Sequence, residues 1–184
     1  MRELGVSITA LPYELHPGIP IGGLSFKERW GDRHGEATAM YARIEAECTT
    51  AGLPFRRPER VPNTRRALET AEYVRRNEPD AFEALDRSLF TTHFVENRPL
   101  DDPEVLDELV ARAGADAAGA RGAVDSGSMH EAVHTSMQQA NEIGVTGTPA
   151  WLVDSRLLIP GAQPRTVIES WVRRLQERSS SPPS

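Results

Sequence analysis

Apolar residues recur every three or four positions through the middle of the chain, which predicts a series of amphipathic helices. The first covers residues 32–51, and the second begins at Asn63, which we expect to act as its N-cap. Further helices are predicted to begin at Pro79 and at Asp102, and another to cover residues 127–143. The residues expected to face the interior are Met40, Ile44, Cys48, Leu68, Ala71, Val74, Phe82, Leu85, Leu89, Phe90, Val105, Leu106, Leu109, Val110, Met129, Val133, Met137 and Ala140.

The two ends of the chain carry short apolar runs of the kind found in strands. Residues 4–15 read as an edge strand, because Pro12 removes one backbone donor. Residues 150–153 and 157–159 are apolar runs around the turn residues Asp154 and Ser155, which predicts a hairpin. A final helix is expected to follow the sequence GAQP at 161–164. This order, a strand, a block of helices, a hairpin and a helix, predicts an α/β domain with a helical insertion.

The segment before the hairpin, GVTGTPAWLV at residues 144–153, has unusual backbone chemistry. Gly144 and Gly147 permit backbone angles that other residues avoid. Pro149 creates the one kind of peptide bond that is commonly cis, and it restricts Thr148 to extended geometry. These residues predict a tight proline loop that enters the hairpin, and an ordinary loop with a trans proline agrees with them equally well.

Composition excludes several classes of function. The chain is 39% hydrophobic and 26% charged with a net charge of −6, as in soluble globular proteins. It has no basic stripe, no apolar stretch as long as a membrane span and no export signal, so we expect neither a nucleic acid nor a membrane as partner. Its single cysteine excludes an internal disulfide and favours a reducing, cytoplasmic location.

Four segments of the sequence carry a likeness to a known family: LPYELHPGIP at 11–20, NTRRALETA at 63–71, and the segments 89–116 and 143–172. On these segments the chain resembles the DsbA-like thioredoxin-fold oxidoreductases, especially the FrnE-like branch. That branch lies near the 2-hydroxychromene-2-carboxylate isomerases and the kappa-class glutathione transferases. The resemblance implies an α/β, thioredoxin-like fold whose thioredoxin-like part is residues 1–24 and 140–178. Residues 25–139 would be an all-helical insertion domain, and residues 179–184 a disordered tail.

The resemblance also implies a binding site. Pro149 would be the cis-proline of the fold, and the backbone of Thr148 would pair with an extended thiol or disulfide peptide, or with glutathione. Gln163, at the start of the last helix, would add a donor near a glutathione carboxylate. Asn63 matches a ligand-facing asparagine of the isomerase-like branch, although a role as N-cap explains it as well. No resident cofactor is expected.

The same resemblance shows which part of the family pattern is missing. A first strand, a Cys-x-x-Cys loop and a helix would precede residue 6, so the expected fold lacks the N-terminal βα unit. Dithiol exchange needs one thiol to attack and another to resolve the mixed disulfide. Cys48 cannot do both, and we expect it to be buried in its helix. We therefore assign no catalytic residue and expect the chain as written to be inactive as a dithiol enzyme. We also expect the natural protein to start upstream of Met1.

Three alternatives remain beside this interpretation. The first is a glutathione-dependent isomerase or transferase. The second is a non-catalytic module that binds thiol peptides or forms a homodimer through the strand near Val6. The third is a zinc peptidase, since His130, Glu131 and His134 match the pattern H-E-x-x-H. A catalytic zinc needs a third protein ligand, and no histidine follows at the required spacing, so we expect a polar helix flank without metal.

Overall fold

Eight α-helices and two short antiparallel sheets run along residues 6–180, the part of the chain that this computed structural model describes. The strands are β1 (Leu24–Ser25), β2 (Arg60–Val61), β3 (Ala150–Val153) and β4 (Leu157–Pro160). The helices are α1 (Phe26–Trp30), α2 (His34–Thr50), α3 (Arg65–Asn77), α4 (Pro79–Thr91), α5 (Pro103–Arg112), α6 (Ala117–Asp125), α7 (His130–Glu142) and α8 (Arg165–Ser180). None of these described helices has the length and apolar character needed to cross a bilayer.

The described residues fall into two compact units. Unit 1 takes its residues from Met1–Leu15 and Ser136–Ser184, and unit 2 is His16–Thr135. Unit 1 contains the β3–β4 hairpin and α8, and unit 2 contains β1, β2 and the helices α1 to α6. Helix α7 contributes its first turns to unit 2 and the rest to unit 1.

The core of unit 2 lies between α3, α4, α5 and α6. Leu85 and Leu109 are fully buried there, and Val110 is 1% exposed. Helix α5 begins where the sequence predicts, because the Asp102 carboxylate accepts a hydrogen bond of 2.9 Å from the backbone N–H of Glu104. The residues of α5 that were expected to face inward are all buried, namely Val105, Leu106, Leu109 and Val110. The capping residue and the apolar periodicity therefore predict the same helix, and the structure contains it.

Helix α3 buries a charged side chain next to this core. The Glu72 side chain is 2% exposed, and its carboxylate accepts hydrogen bonds from Arg75 at 2.7 Å and from Arg76 at 2.5 Å. Burial by itself would raise the pKa of Glu72, but the two guanidinium groups outweigh it and hold that pKa below its usual value. The arginines thus satisfy a carboxylate that would otherwise be costly to bury.

Helix α6 was not predicted from the sequence. The Asp116 carboxylate caps it by accepting from the backbone N–H of Gly119 at 3.0 Å, and Ala120 and Val124 are buried. Glycines at 119 and 122 lower the helix propensity of this segment. Its contact with the core offsets that cost, which periodicity over so short a segment does not indicate.

Two residues that were expected to face the core, Met40 and Phe90, are exposed instead. Met40 is 47% exposed, because α2 buries Ala37 and Tyr41 instead. Tyr41 packs against the ring of Phe26, with centroids 5.2 Å apart, so the neighbouring helix α1 decides which side of α2 is covered. Phe90 is 60% exposed, since α4 turns Leu85 rather than Phe90 into the core.

The predicted N-terminal strand is also corrected. Residues 6–15 have no regular secondary structure, and residues 4–5 lie outside the described part of the chain. A strand needs a hydrogen-bonding neighbour, and within residues 6–180 the strands pair only as β1 with β2 and β3 with β4. Pro12 removes one donor as well. Apolar alternation without a partner strand therefore does not produce a ladder here.

The predicted hairpin of unit 1 is confirmed. Strand β3 pairs antiparallel with β4 from Ala150 opposite Pro160 to Val153 opposite Leu157. Asp154 and Ser155 both have positive φ, 52° and 54°, which is the backbone of a tight hairpin turn. Helix α8 follows and extends to Ser180, two residues into the stretch 179–184 for which the sequence predicts disorder. Residues 181–184 lie outside the described part of the chain.

Candidate functional site

The loop between α7 and β3 contains the residues that the sequence associates with ligand binding. Helix α7 ends in a left-handed cap, in which Gly144 has φ +86° and the N–H of Val145 donates to a carbonyl in the last turn at 2.9 Å. The Thr148–Pro149 peptide bond that follows is cis. Strand β3 begins at Ala150, the residue after Pro149, so Thr148 lies in the loop just before the hairpin.

The direction of the backbone groups in β3 follows from one hydrogen bond. The Pro149 carbonyl accepts a hydrogen bond of 2.8 Å from the N–H of Gly161, just after β4. Because alternate residues of an antiparallel strand direct their backbone groups to opposite sides, those of Ala150 and Leu152 point away from β4. The hairpin therefore has an outer edge that starts at Ala150, two residues after Thr148.

This outer edge has no partner in the described part of the chain. Thr148 is exposed, and no described residue exchanges a backbone hydrogen bond with its N–H or its C=O. The sheet formed by β3 and β4 has two strands only, and Leu152 is 47% exposed. An N–H and a C=O at the end of a strand can take an extended peptide as an additional strand.

Two side chains that the sequence did not single out hold the N-terminal segment within unit 1. The hydroxyl of Ser136 in α7 donates to the carbonyl of Pro12 at 2.8 Å. The hydroxyl of Tyr13 makes a longer contact, 3.5 Å, with the carbonyl of Val145 in the loop. Tyr13 lies in one of the family-like segments, but nothing in the sequence indicates its partner, since the two residues are 132 positions apart.

Gln163 lies in unit 1, but its amide is used locally. Its Nε2 donates to the carbonyl of Pro160 at 2.8 Å, across the bend that leads from β4 to α8. The side chain thereby fixes the start of α8. One N–H of the amide is used in this way, and the role of Gln163 as a donor to a ligand stays a prediction.

Asn63 belongs to unit 2, whereas Thr148, Pro149 and Gln163 belong to unit 1. The side-chain Oδ1 of Asn63 accepts a hydrogen bond from the backbone N–H of Arg65 at 3.0 Å, at the start of α3. Its amide donates to the carbonyl of Ile19 at 2.6 Å. Both ends of the side chain thus have structural partners, and they connect the proline- and glycine-rich loop at 16–23 with the first turn of α3.

Cys48 is partly exposed rather than fully buried, which corrects the expectation from the sequence. The cause is again the orientation of α2, which buries Ala37 and Tyr41 on another side. Cys48 is a free thiol and the only cysteine of the 184 residues. The chain therefore has no second thiol with which to resolve a mixed disulfide.

The H-E-x-x-H pattern lies in the first turns of α7. The Nδ1 of His130 is 3.0 Å from a carboxylate oxygen of Glu69, whose side chain is 6% exposed. Glu131 and His134 are exposed to solvent. Among the residues that the structure describes, no group of three histidine, cysteine, aspartate or glutamate side chains could hold a metal ion. His130 therefore contacts the buried carboxylate of Glu69 in α3.

A hairpin entered through a proline loop, a following helix and a separate block of helices define a thioredoxin-like fold with a helical insertion. A family model for the DSBA-like thioredoxin domain matches residues 2–172, so the chain belongs to the DsbA-like thioredoxin family, a family of thiol oxidoreductases. The fold is also similar to the crystal structure of a probable DsbA oxidoreductase from Streptomyces coelicolor, with 23% sequence identity and a TM-score of 0.83. That match covers 98% of this chain and 79% of the other. No curated protein sequence matches the chain.

Proposed function

We propose that the Thr148–Pro149 segment binds the extended backbone of a thiol or disulfide peptide, in the manner of the FrnE-like branch of the family. The observation that carries this proposal is the exposed Thr148, whose backbone N–H and C=O have no partner in the described residues. Membership of the DsbA-like family supplies the substrate class. The neighbouring edge of β3 supports the same mode of binding, because its backbone groups face outward.

In this mode the peptide forms a short additional strand. A peptide residue next to its cysteine accepts from the Thr148 N–H and donates to the Thr148 C=O. Each such hydrogen bond contributes about 1 kcal/mol net, so the affinity from these bonds alone is modest. Recognition through backbone atoms also leaves the peptide sequence largely unspecified, which suits a protein that handles many thiols.

We propose further that the chain as written binds such peptides without catalysing dithiol exchange. It has one cysteine, Cys48, which belongs to unit 2. A single thiol can form a mixed disulfide but cannot release it by internal attack. We expect purified 1–184 to give no reduction of insulin by dithiothreitol above the uncatalysed rate. Reduction above that rate would contradict this expectation, and its loss in Cys48→Ser would identify Cys48 as a catalytic residue.

Binding is tested with a labelled, reduced cysteine peptide and its backbone N-methylated twin. Methylation of the amide that would donate to Thr148 removes one hydrogen bond and adds bulk, while it leaves the side chains unchanged. We expect at least about a fivefold loss of affinity, measured by fluorescence anisotropy. In parallel, the backbone amide signal of Thr148 should shift in a nuclear magnetic resonance titration, and that of Thr166 in α8 should not. Equal affinity for the two peptides would exclude strand addition.

The glutathione-dependent alternative has no comparable support in the described residues. Its expected donor, the Gln163 amide, has one of its two N–H groups bonded to Pro160, and Asn63 is bonded to Ile19 and Arg65. A titration with glutathione separates the two functions. Saturable binding of glutathione that is stronger than binding of the cysteine peptide would favour the isomerase or transferase function.

A further inference from the structure

A ladder of aromatic rings lies on the surface of unit 2. The ring centroids of Phe55 and Phe94 are 5.9 Å apart with planes inclined by 24°, and those of Phe94 and Phe90 are 6.2 Å apart with planes inclined by 13°. Phe94 lies in a short π-helix, Thr92–Glu96, that continues α4. The backbone N–H of Arg56 donates to the Phe94 carbonyl at 2.6 Å, which fixes the Phe55 segment against this helix. The ladder is therefore built from three rings in a defined arrangement.

The ladder is only partly covered, because Phe90 is exposed while Phe55 and Phe94 are half-buried. Phe90 is 60% exposed, whereas Leu85 of the same helix is completely buried. Aromatic side chains provide a large contact area at a low cost in conformational entropy, and they dominate the energetic centres of protein interfaces. An ordered ladder with the Phe90 ring in water and the other two rings half-buried fits an interface better than a core.

Charged pairs lie at both ends of the ladder. On α4, Glu83 and Arg87 are 3.1 Å apart, seven and three residues before Phe90 and thus on the same face of the helix. At the other end, Arg56 and Glu59 are 3.0 Å apart, beside Phe55. All four side chains are at least 60% exposed. Each end therefore presents a positive and a negative charge.

We propose that this ladder surface, Phe55, Phe90 and Phe94 with the pairs Glu83–Arg87 and Arg56–Glu59, is the interface of a homodimer. A strongly acidic or basic partner would meet a like charge at both ends. A second copy offers an arginine for each glutamate and a ladder of the same width for the rings. The whole chain has a net charge of −6, so two copies repel each other elsewhere, and this neutral surface lets them approach.

The test is the oligomeric state of purified 1–184, measured by sedimentation equilibrium over a series of concentrations. We expect a monomer–dimer equilibrium whose dissociation constant rises at least about tenfold in Phe90→Asp. Ile21→Asp is the matched control, because Ile21 is 87% exposed and lies in the separate loop at 16–23. It should leave the dissociation constant unchanged.

A second variant separates the interface from effects on folding. Glu83→Arg changes a side chain that is 70% exposed and makes one end of the ladder entirely positive, so the dissociation constant should rise about threefold. The midpoint of urea unfolding is measured for each variant to confirm that it is folded. A wild-type chain that stays monomeric overturns the proposal. A dimer that survives both Phe90→Asp and Glu83→Arg, such as one formed through residues near Val6, overturns it as well.

Discussion

The helical core of unit 2 and the hairpin edge of unit 1 use opposite kinds of chemistry. In the core, Leu85 and Leu109 are completely covered, and even the carboxylate of Glu72 has its partners. At the hairpin edge, the backbone groups of Thr148 have no partner in the described residues, and Leu152 is 47% exposed. The core stabilises the fold by burying side chains, whereas the candidate site consists of backbone groups that remain available. Substitutions should therefore separate stability from binding.

The largest effect is expected from truncation in the core. Leu109→Ala removes a fully buried side chain between α4, α5 and α6 and leaves a cavity, so the free energy of unfolding should fall by about 3 kcal/mol. Leu152→Ala on the hairpin is the matched control and should cost less than about 1 kcal/mol, because its side chain is half in water. Urea unfolding followed by circular dichroism measures both. Equal losses would mean that the hairpin is as tightly packed as the core.

The contrast between the regions also explains which parts of the molecule the sequence could predict. Helix α5 was predictable because Asp102 caps it and a regular stripe of four apolar residues becomes buried. The exposure of Phe90 was not predictable, since periodicity identifies an apolar face but not which part of it a neighbour covers. Helix α6 was missed because its glycines weaken the local signal. Such errors arise where tertiary packing overrides local preference.

The candidate site shows a different limit of sequence analysis. Pro149 and its neighbours mark the loop, because proline and glycine have distinctive backbone preferences. Whether the N–H and C=O of Thr148 have partners depends on strands far away in the sequence, so the sequence does not contain that information locally. The same holds for Asn63, whose amide bonds to the carbonyl of Ile19, 44 positions away in the sequence.

The second prediction concerns pH and the helical region. Burial lowers the pKa of His93 from 6.5 to about 4, and its ring lies edge-on to Phe94 with centroids 4.4 Å apart. The unfolded chain takes up a proton near pH 6.5, whereas the folded chain does so only near pH 4. This group should therefore not affect the free energy of unfolding above about pH 7. As the pH drops from about 6.5 to about 4, the free energy of unfolding should fall by about 3 kcal/mol.

His93→Phe removes this dependence and serves as its test. The free energy of unfolding of wild type and variant is measured by urea titration near pH 7 and near pH 5. We expect the wild type to lose stability relative to the variant as the pH falls. If the difference between the two proteins is the same at both pH values, His93 already exchanges protons freely in the folded state, and the helical region is less tightly packed around it than the structure indicates.

The smallest effect is expected at Gln163, where it decides what the hairpin region recognises. Gln163→Ala removes one side-chain hydrogen bond to the Pro160 carbonyl at the surface, which should cost about 0.5–1 kcal/mol in the free energy of unfolding. Affinity for the cysteine peptide should stay within about twofold, because strand addition uses the backbone of Thr148 and not this amide. Fluorescence anisotropy with the labelled peptide measures it, with Gln176→Ala on α8 as the control variant. If Gln163→Ala alone weakens binding severalfold, the side chain contacts the ligand, and recognition at this edge depends on side chains as well as on the open backbone.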